Sequence, residues 1–243
     1  MSFVITIAVR EGIVMAADSR LTLTFKDPFI DPNAKVERLV SVPQTDATNK
    51  LFLAQNRIGI STFGGGDIKG VPIAGFIESF IMTLKNDETP EQVADFLKTY
   101  FRAIDPKLET WFHVAGYHVS EDGERQSELW RVHIAGDTNQ PAIPRSIQSA
   151  VWNGELDIMT RLMADVQYRW SEQEKFQKLP LFIPPWNYFS LQDAVDFAVY
   201  AVRTTIDTMR FLPRLRTVGG PIDVLIIKPE GAHWLNQKQL RIS

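Results

Sequence analysis

Residues 2–20 read SFVITIAVREGIVMAADSR, and this stretch decides the fold. Phe3 to Val9 is apolar and β-branched, Arg10-Glu11-Gly12 supplies a turn, and Ile13 to Ala17 is apolar again. The spacing predicts a β-hairpin. A hairpin that turns at about Glu11 brings Asp18 back beside residues 2 to 4, so a carboxylate stands next to Ser2.

Working outward, residues 26–48 are polar and carry three prolines, which reads as a long surface loop. A second strand pair follows, Lys50 to Ala54 and Ile58 to Thr62, ended by Gly64-Gly65-Gly66. Lys50 opens that pair, and Ser2, Asp18 and Lys50 can converge. A helix is expected from about Ile68 to Lys85. Another opens on Thr89-Pro90-Glu91-Gln92, a capping box with proline at the first helical position. Phe112 to Val119 and Glu128 to Ile134 read as strands joined by Glu121-Asp122-Gly123.

A second helix pair is expected over Glu155 to Gln173 and Leu191 to Phe211, the latter signed by Ser190 and Asp193. Between them, Pro180, Pro184 and Pro185 stiffen a loop. Ile222 to Lys228 and Trp234 to Arg241 read as the last strands. Hairpins imply antiparallel sheets, and two separate helix pairs can cover two sheets from outside. The fold class expected is α+β, a four-layer αββα sandwich, in a single domain over residues 1–243.

Composition narrows the function. The chain has 243 residues, 44% hydrophobic and 23% charged, with a net charge of -3 and no basic stripe, which speaks against nucleic acid. The absence of cysteine excludes disulfides, thiolate metal sites and cysteine nucleophiles. No apolar run is long enough to span a membrane. The first residues lack a signal-peptide pattern, so the cytoplasm is the expected compartment. His113, His118, His133 and His233 show no metal-ligand spacing. No metal or other cofactor is expected.

GIVMAADSRLT, residues 12–22, resembles the start of proteasome β-type subunits, in which an apolar strand leads into Ala-Ala-Asp-Ser-Arg. VGGPIDVLIIKPEG near the C-terminus resembles the family's Gly-Gly, apolar strand and turn, and SAVWNGELD resembles the segment that opens its third helix. Head and tail also resemble the bacterial proteasome-like, Anbu-type relatives. The resemblance implies an N-terminal-nucleophile hydrolase.

Counting back from Asp18 without a gap places the family's nucleophile on Ser2, exposed once Met1 is removed. The family's lysine matches Lys50, and its oxyanion glycine falls on Gly64. Supporting candidates are Ser149 or Ser146 for the helix-opening serine, and Asp207 for the second aspartate. Val218, with Thr217 beside it, occupies the place before Gly219-Gly220.

The chemistry suits these residue types. A serine hydroxyl needs a base, and a free α-amine, with a pKa near ~8, can supply one. Lys50 as a cation favours loss of the hydroxyl proton, Asp18 holds Lys50, and the Gly64 N–H meets the oxyanion. The chain departs from the family in using Ser in place of Thr, and in the 29 residues between Arg20 and Lys50.

The resemblance further implies a homo-oligomer, a ring or helical stack, acting on peptides or unfolded protein, with an unfoldase or cap as a further partner. Two alternatives stand beside the peptidase: a non-catalytic shell subunit, and a small-molecule amidase of the wider class. Retention of Ser2, Asp18 and Lys50 favours catalysis, and Ala-Ala-Asp-Ser-Arg speaks against the amidase.

Overall fold

In the computed structural model, which describes residues 2–26, 39–169 and 176–239, the opening hairpin is formed by β1 (Phe3–Val9) and β2 (Gly12–Ala17). Its register sets Val4 against Ala17 and Val9 against Gly12. There follow β3 (Leu21–Lys26), β4 (Leu39–Thr45), β5 (Leu51–Ala54), β6 (Ile58–Gly64) and the short β7 (Asp67–Ile68) and β8 (Val71–Pro72). Next come α1 (Ile73–Ile81), α2 (Pro90–Ile104), β9 (Thr110–Val119), β10 (Arg125–His133), β11 (Thr138–Ile143) and β12 (Ser149–Gly154). The remainder is α3 (Asp157–Met163), β13 (Gln167–Arg169), β14 (Phe176–Lys178), α4 (Leu191–Met209), β15 (Asp223–Lys228) and β16 (Gly231–Asn236).

Two five-stranded antiparallel sheets result, in the orders β12-β1-β2-β15-β16 and β11-β10-β9-β6-β5. Successive side chains of a strand point to opposite faces, and β1 uses both. Phe3, Ile5, Ile7 and Val9 pack with Ala194, Ala198 and Val202 of α4. Val4 and Ala8 turn the other way and meet Leu51, Phe63, Ala115 and Leu129 of the second sheet. α1 and α2 cover that second sheet's outer face through Ile77, Phe80, Leu97 and Phe101. Each large side chain so buried is worth roughly 1.5–3 kcal/mol.

Both capping boxes form: Thr89 with Gln92 at α2, and Ser190 with Asp193 at α4. Several expected elements are corrected. Part of the expected 26–48 loop is a strand, since β4 pairs with β3, Val40 opposite Phe25; residues 27–38 lie outside the described ones. The first helix starts at Ile73, because Lys69 (φ 52°) and Gly70 (φ 81°) make a left-handed turn and Pro72 precedes the helix.

The helix expected from Glu155 to Gln173 is only α3, and Gln167 to Arg169 pairs with β14 instead. Residues 170–175 lie outside the described ones. β11 and β12 were not expected. The last strand ends at Asn236, and its expected end at Arg241 lies outside the described residues. No helix among the described residues is long and apolar enough to cross a membrane.

Candidate active site

Ser2 sits immediately before β1, in the slot between β2 and β12. Its carbonyl accepts a hydrogen bond from Glu155 N at 2.7 Å. Gly154, with φ 96°, turns the chain there: a Cβ on it would meet the Ser2 oxygen at 1.8 Å, so only glycine fits. The next amide, Phe3 N, donates to Asp18 Oδ1 at 2.9 Å.

Asp18 follows β2 and is 0% exposed. Its Oδ1 also accepts from Lys50 Nζ at 2.8 Å, while Oδ2 accepts from Arg20 N at 3.1 Å and Gly219 N at 3.0 Å. A buried carboxylate must be paired and hydrogen-bonded to be tolerated, and this one draws its donors from four parts of the chain.

Lys50, at the head of β5, is 3% exposed. Burial pushes its ammonium below the usual lysine range, and the Asp18 charge and hydrogen bond oppose that shift. A cation in this setting can serve as the electrostatic partner of a nearby nucleophile.

Gly64 ends β6 with φ 96°, and a Cβ there would meet Glu109 O at 2.6 Å. The Gly-Gly-Gly turn is tied to β9, with Gly65 N donating to Glu109 O and Thr110 Oγ1 donating to Gly65 O. Ser2, Lys50, Thr62 and Gly64 to Gly66 line one small cleft with about 20 Å³ of free volume. The structure thus brings Ser2, Asp18, Lys50 and Gly64 together.

Ser149 and Asp207 are placed elsewhere. Ser149 pairs with Ala8, whereas Gly154 pairs with Phe3. The five steps between them put Ser149 about 17 Å from the Ser2 end. Ser146 lies in an exposed turn with φ 58°. Asp207 is on the exposed side of α4, lining a surface cleft with Arg203 and Ile222. Neither serine nor Asp207 reaches Ser2.

Other residues stand there that the sequence reading passed over. The Glu155 carboxylate is buried; Oε2 accepts from Thr217 Oγ1 at 3.2 Å and Oε1 pairs with Arg214 at 3.2 Å. Thr217 had been noted only as the neighbour of Val218. The Gly219-Gly220 pair has two causes: a Cβ at Gly219 would strike the Arg20 guanidinium at 2.5 Å, and Gly220 has φ 78°. Arg20 is itself held by Asp46 at 2.6 and 2.7 Å; their hydrogen bond raises the Arg20 pKa and lowers that of Asp46. A glycine pair after an apolar helix was the only local signal that these residues close on the chain start. Among the described residues, no cluster of three or more His, Asp or Glu is arranged to hold a metal.

No protein-family model and no curated protein matches the chain. Solved structures do. A Gly-1 mutant of Anbu from Hyphomicrobium sp. strain MC1 superposes with a TM-score of 0.57 at 15% identity, covering 98% of this chain and 86% of that one. Another Anbu structure from the same strain gives 0.57 at 14% identity, covering 98% and 88%. From end to end, the chain has the mixed α/β fold of Anbu, a bacterial proteasome-like protein.

Proposed function

We propose that the chain is an N-terminal-nucleophile hydrolase of peptide bonds, with Ser2 as nucleophile after removal of Met1. It works as one subunit of a homo-oligomeric ring or helical stack, each chain a single αββα domain. The observation that carries this reading is the buried Asp18–Lys50 pair, 2.8 Å apart, in the same cleft end as Ser2 and Gly64. Two ions withdrawn from water cost several kcal/mol each, a large expense for a merely structural contact.

The freed Ser2 amine takes the hydroxyl proton as Oγ attacks the substrate carbonyl carbon. The oxyanion is met by the Gly64 N–H, and the Lys50 charge stabilises the developing alkoxide. The tetrahedral intermediate collapses as the amine hands its proton to the leaving nitrogen. Water then hydrolyses the Ser2 ester by the same route. Glu155, held by Thr217 and Arg214, supports the chain start from the opposite side.

One observation favours a non-catalytic subunit instead. About 20 Å³ of free volume beside Ser2 has room for roughly one water, so a substrate requires the cleft to open. The test is an electrophile such as an epoxyketone, which adds to the Ser2 hydroxyl and amine together. Peptide mapping is expected to show the ring adduct on Ser2 in Met1-free protein, and none in Ser2→Ala. An unlabelled Ser2 in intact, Met1-free oligomer favours the shell-subunit reading.

A further inference from the structure

A second buried ion pair adjoins the site, and the reaction above does not use it. Asp223 opens β15, is 1% exposed, and pairs across the ladder with Ala17, the residue before Asp18. Its Oδ1 accepts from Lys238 N at 2.8 Å, and its Oδ2 is in close contact with the Lys238 ammonium. The Lys238 side chain is 9% exposed. Lys238 lies beyond β16, in the segment that brings Gln237 to one cleft with Asn49, the residue before Lys50. Register from one side and the shared cleft from the other therefore set Lys238 beside the Asp18–Lys50 pair.

The groups that face Lys238 are Asp223 from β15, Lys50 from the head of β5, and Asp18 from the end of β2. Those that face Lys50 are Asp18, Arg20 and Asp46 on its other sides. Burial first, then repulsion from Lys50, push the Lys238 ammonium down to about 8, with Asp18 attraction opposing. Two ammonium groups and two carboxylates thus stand near one another, with Lys238 repelled by Lys50 and drawn by Asp18.

We infer that Lys238 is a positioning residue of the Ser2 site: its ammonium, seated on Asp223, acts through space on Lys50 and sets the protonation balance of the Asp18–Lys50 pair. The role rests on the reading of Ser2 as nucleophile. With the Lys238 charge removed, Lys50 keeps its proton to higher pH, because a repelling cation is gone and the Asp223 carboxylate remains. With the Asp223 charge removed, Lys50 releases its proton at lower pH.

The test follows Lys50 itself. Lysine labelled with 13C at Cε is titrated by NMR in the Met1-free full chain, with the Lys50 signal assigned by Lys50→Arg. Lys238→Met is expected to raise the Lys50 midpoint, Asp223→Asn to lower it, and Lys238→Arg to leave it near wild type. Loosened packing would move both variants the same way, so opposite signs are diagnostic. If one of the two fails to fold, the other is read against Lys238→Arg, which keeps the charge and alters the packing. An unmoved midpoint, or shifts of one sign, overturns the inference.

The pH profile of Ser2 labelling is recorded alongside, and its acid limb is expected to follow Lys50 in direction. If wild-type Ser2 is never labelled while the Lys50 midpoint still moves, the nucleophile reading fails and the charge coupling stands.

Discussion

The two ends of the sheet pair each bury a carboxylate, and they do so differently. At the Ser2 end, Asp18 is matched by Lys50, and both partners are out of water. Towards the other end, beside Ala8 and Ile13, Glu128 is 2% exposed, but its Arg145 partner, 2.6 Å away, is 48% exposed. Glu128 Oε2 also accepts from Trp130 Nε1 at 3.2 Å. An arginine that stays half in water ties down an inward-facing carboxylate at modest expense, and its Glu91 contact at 3.1 Å is exposed as well. A lysine wholly withdrawn from solvent is a different matter: the fold holds a desolvated cation where it could act on another group. The Glu128 end is built as a fastener, and the Asp18 end holds the buried charge pair on which the proposed function rests.

The comparison is broken most sharply at Lys50. Lys50→Met leaves the Asp18 charge with its three backbone donors and no cation bonded to it. Stability is expected to fall by about 3–5 kcal/mol in urea denaturation. Any hydrolysis is expected to drop by several orders of magnitude, as for loss of a unit of covalent machinery. Near wild-type turnover in a folded Lys50→Met chain would place the chemistry elsewhere.

Between the two ends stands His113, buried between the sheets. Its Nε2 is 2.8 Å from Asn153 Oδ1, to which it donates, and its Nδ1 accepts from Thr6 Oγ1 at 3.2 Å. Burial pushes its pKa down to about 4, the Asn153 bond opposing. A histidine whose folded pKa lies below the unfolded ~6.5 binds its proton more readily when unfolded. Its contribution is therefore complete above about pH 6.5 and is lost as pH falls towards about 4. The expected loss reaches about 3 kcal/mol, read as a slope in the unfolding free energy that His113→Gln removes.

The smallest effect is expected at the fastener. Glu128→Gln keeps the Trp130 bond and gives up only a half-solvated ion pair, so about 1 kcal/mol of stability is expected to go, with no change in Ser2 labelling. A loss as large as that of Lys50→Met would erase the contrast between the two ends.

How much of this was legible in the sequence follows from where the information lies. The β1–β2 hairpin and the α2 and α4 starts could be read because their signals are local: an apolar run with a turn, or a capping residue three positions before its partner. Asp18 came with the hairpin, since register alone sets it beside Phe3. β11 and β12 have mixed, half-exposed sequences, TNQPAI and SAVWNG, and become strands because β10 and β1 offer them ladders. Glu155 was missed for a related reason. What brings it to Ser2 is the positive φ of Gly154, a single backbone torsion with no periodic trace. Ser149 and Asp207 came from the resemblance and not from geometry. Lys238 had no signal at all, because its partner Asp223 lies at the start of β15, 15 residues earlier.

The hydrogen bond from Gly219 N to Asp18 Oδ2 joins residues 201 positions apart. With the Glu155 contact to Ser2, it makes the setting of Ser2 and Asp18 dependent on segments translated much later. A nascent chain emerging from the ribosome has its β1–β2 hairpin early, with Asp18 and its Phe3, Arg20 and Lys50 donors, yet lacks the Gly219 donor until the segment before β15 is made. Long-range closures of this kind are slow and come late in folding. The order of synthesis thus acts as a timer. On the function proposed above, the setting of Ser2 and Asp18 is completed only after the chain through Gly219 has been made.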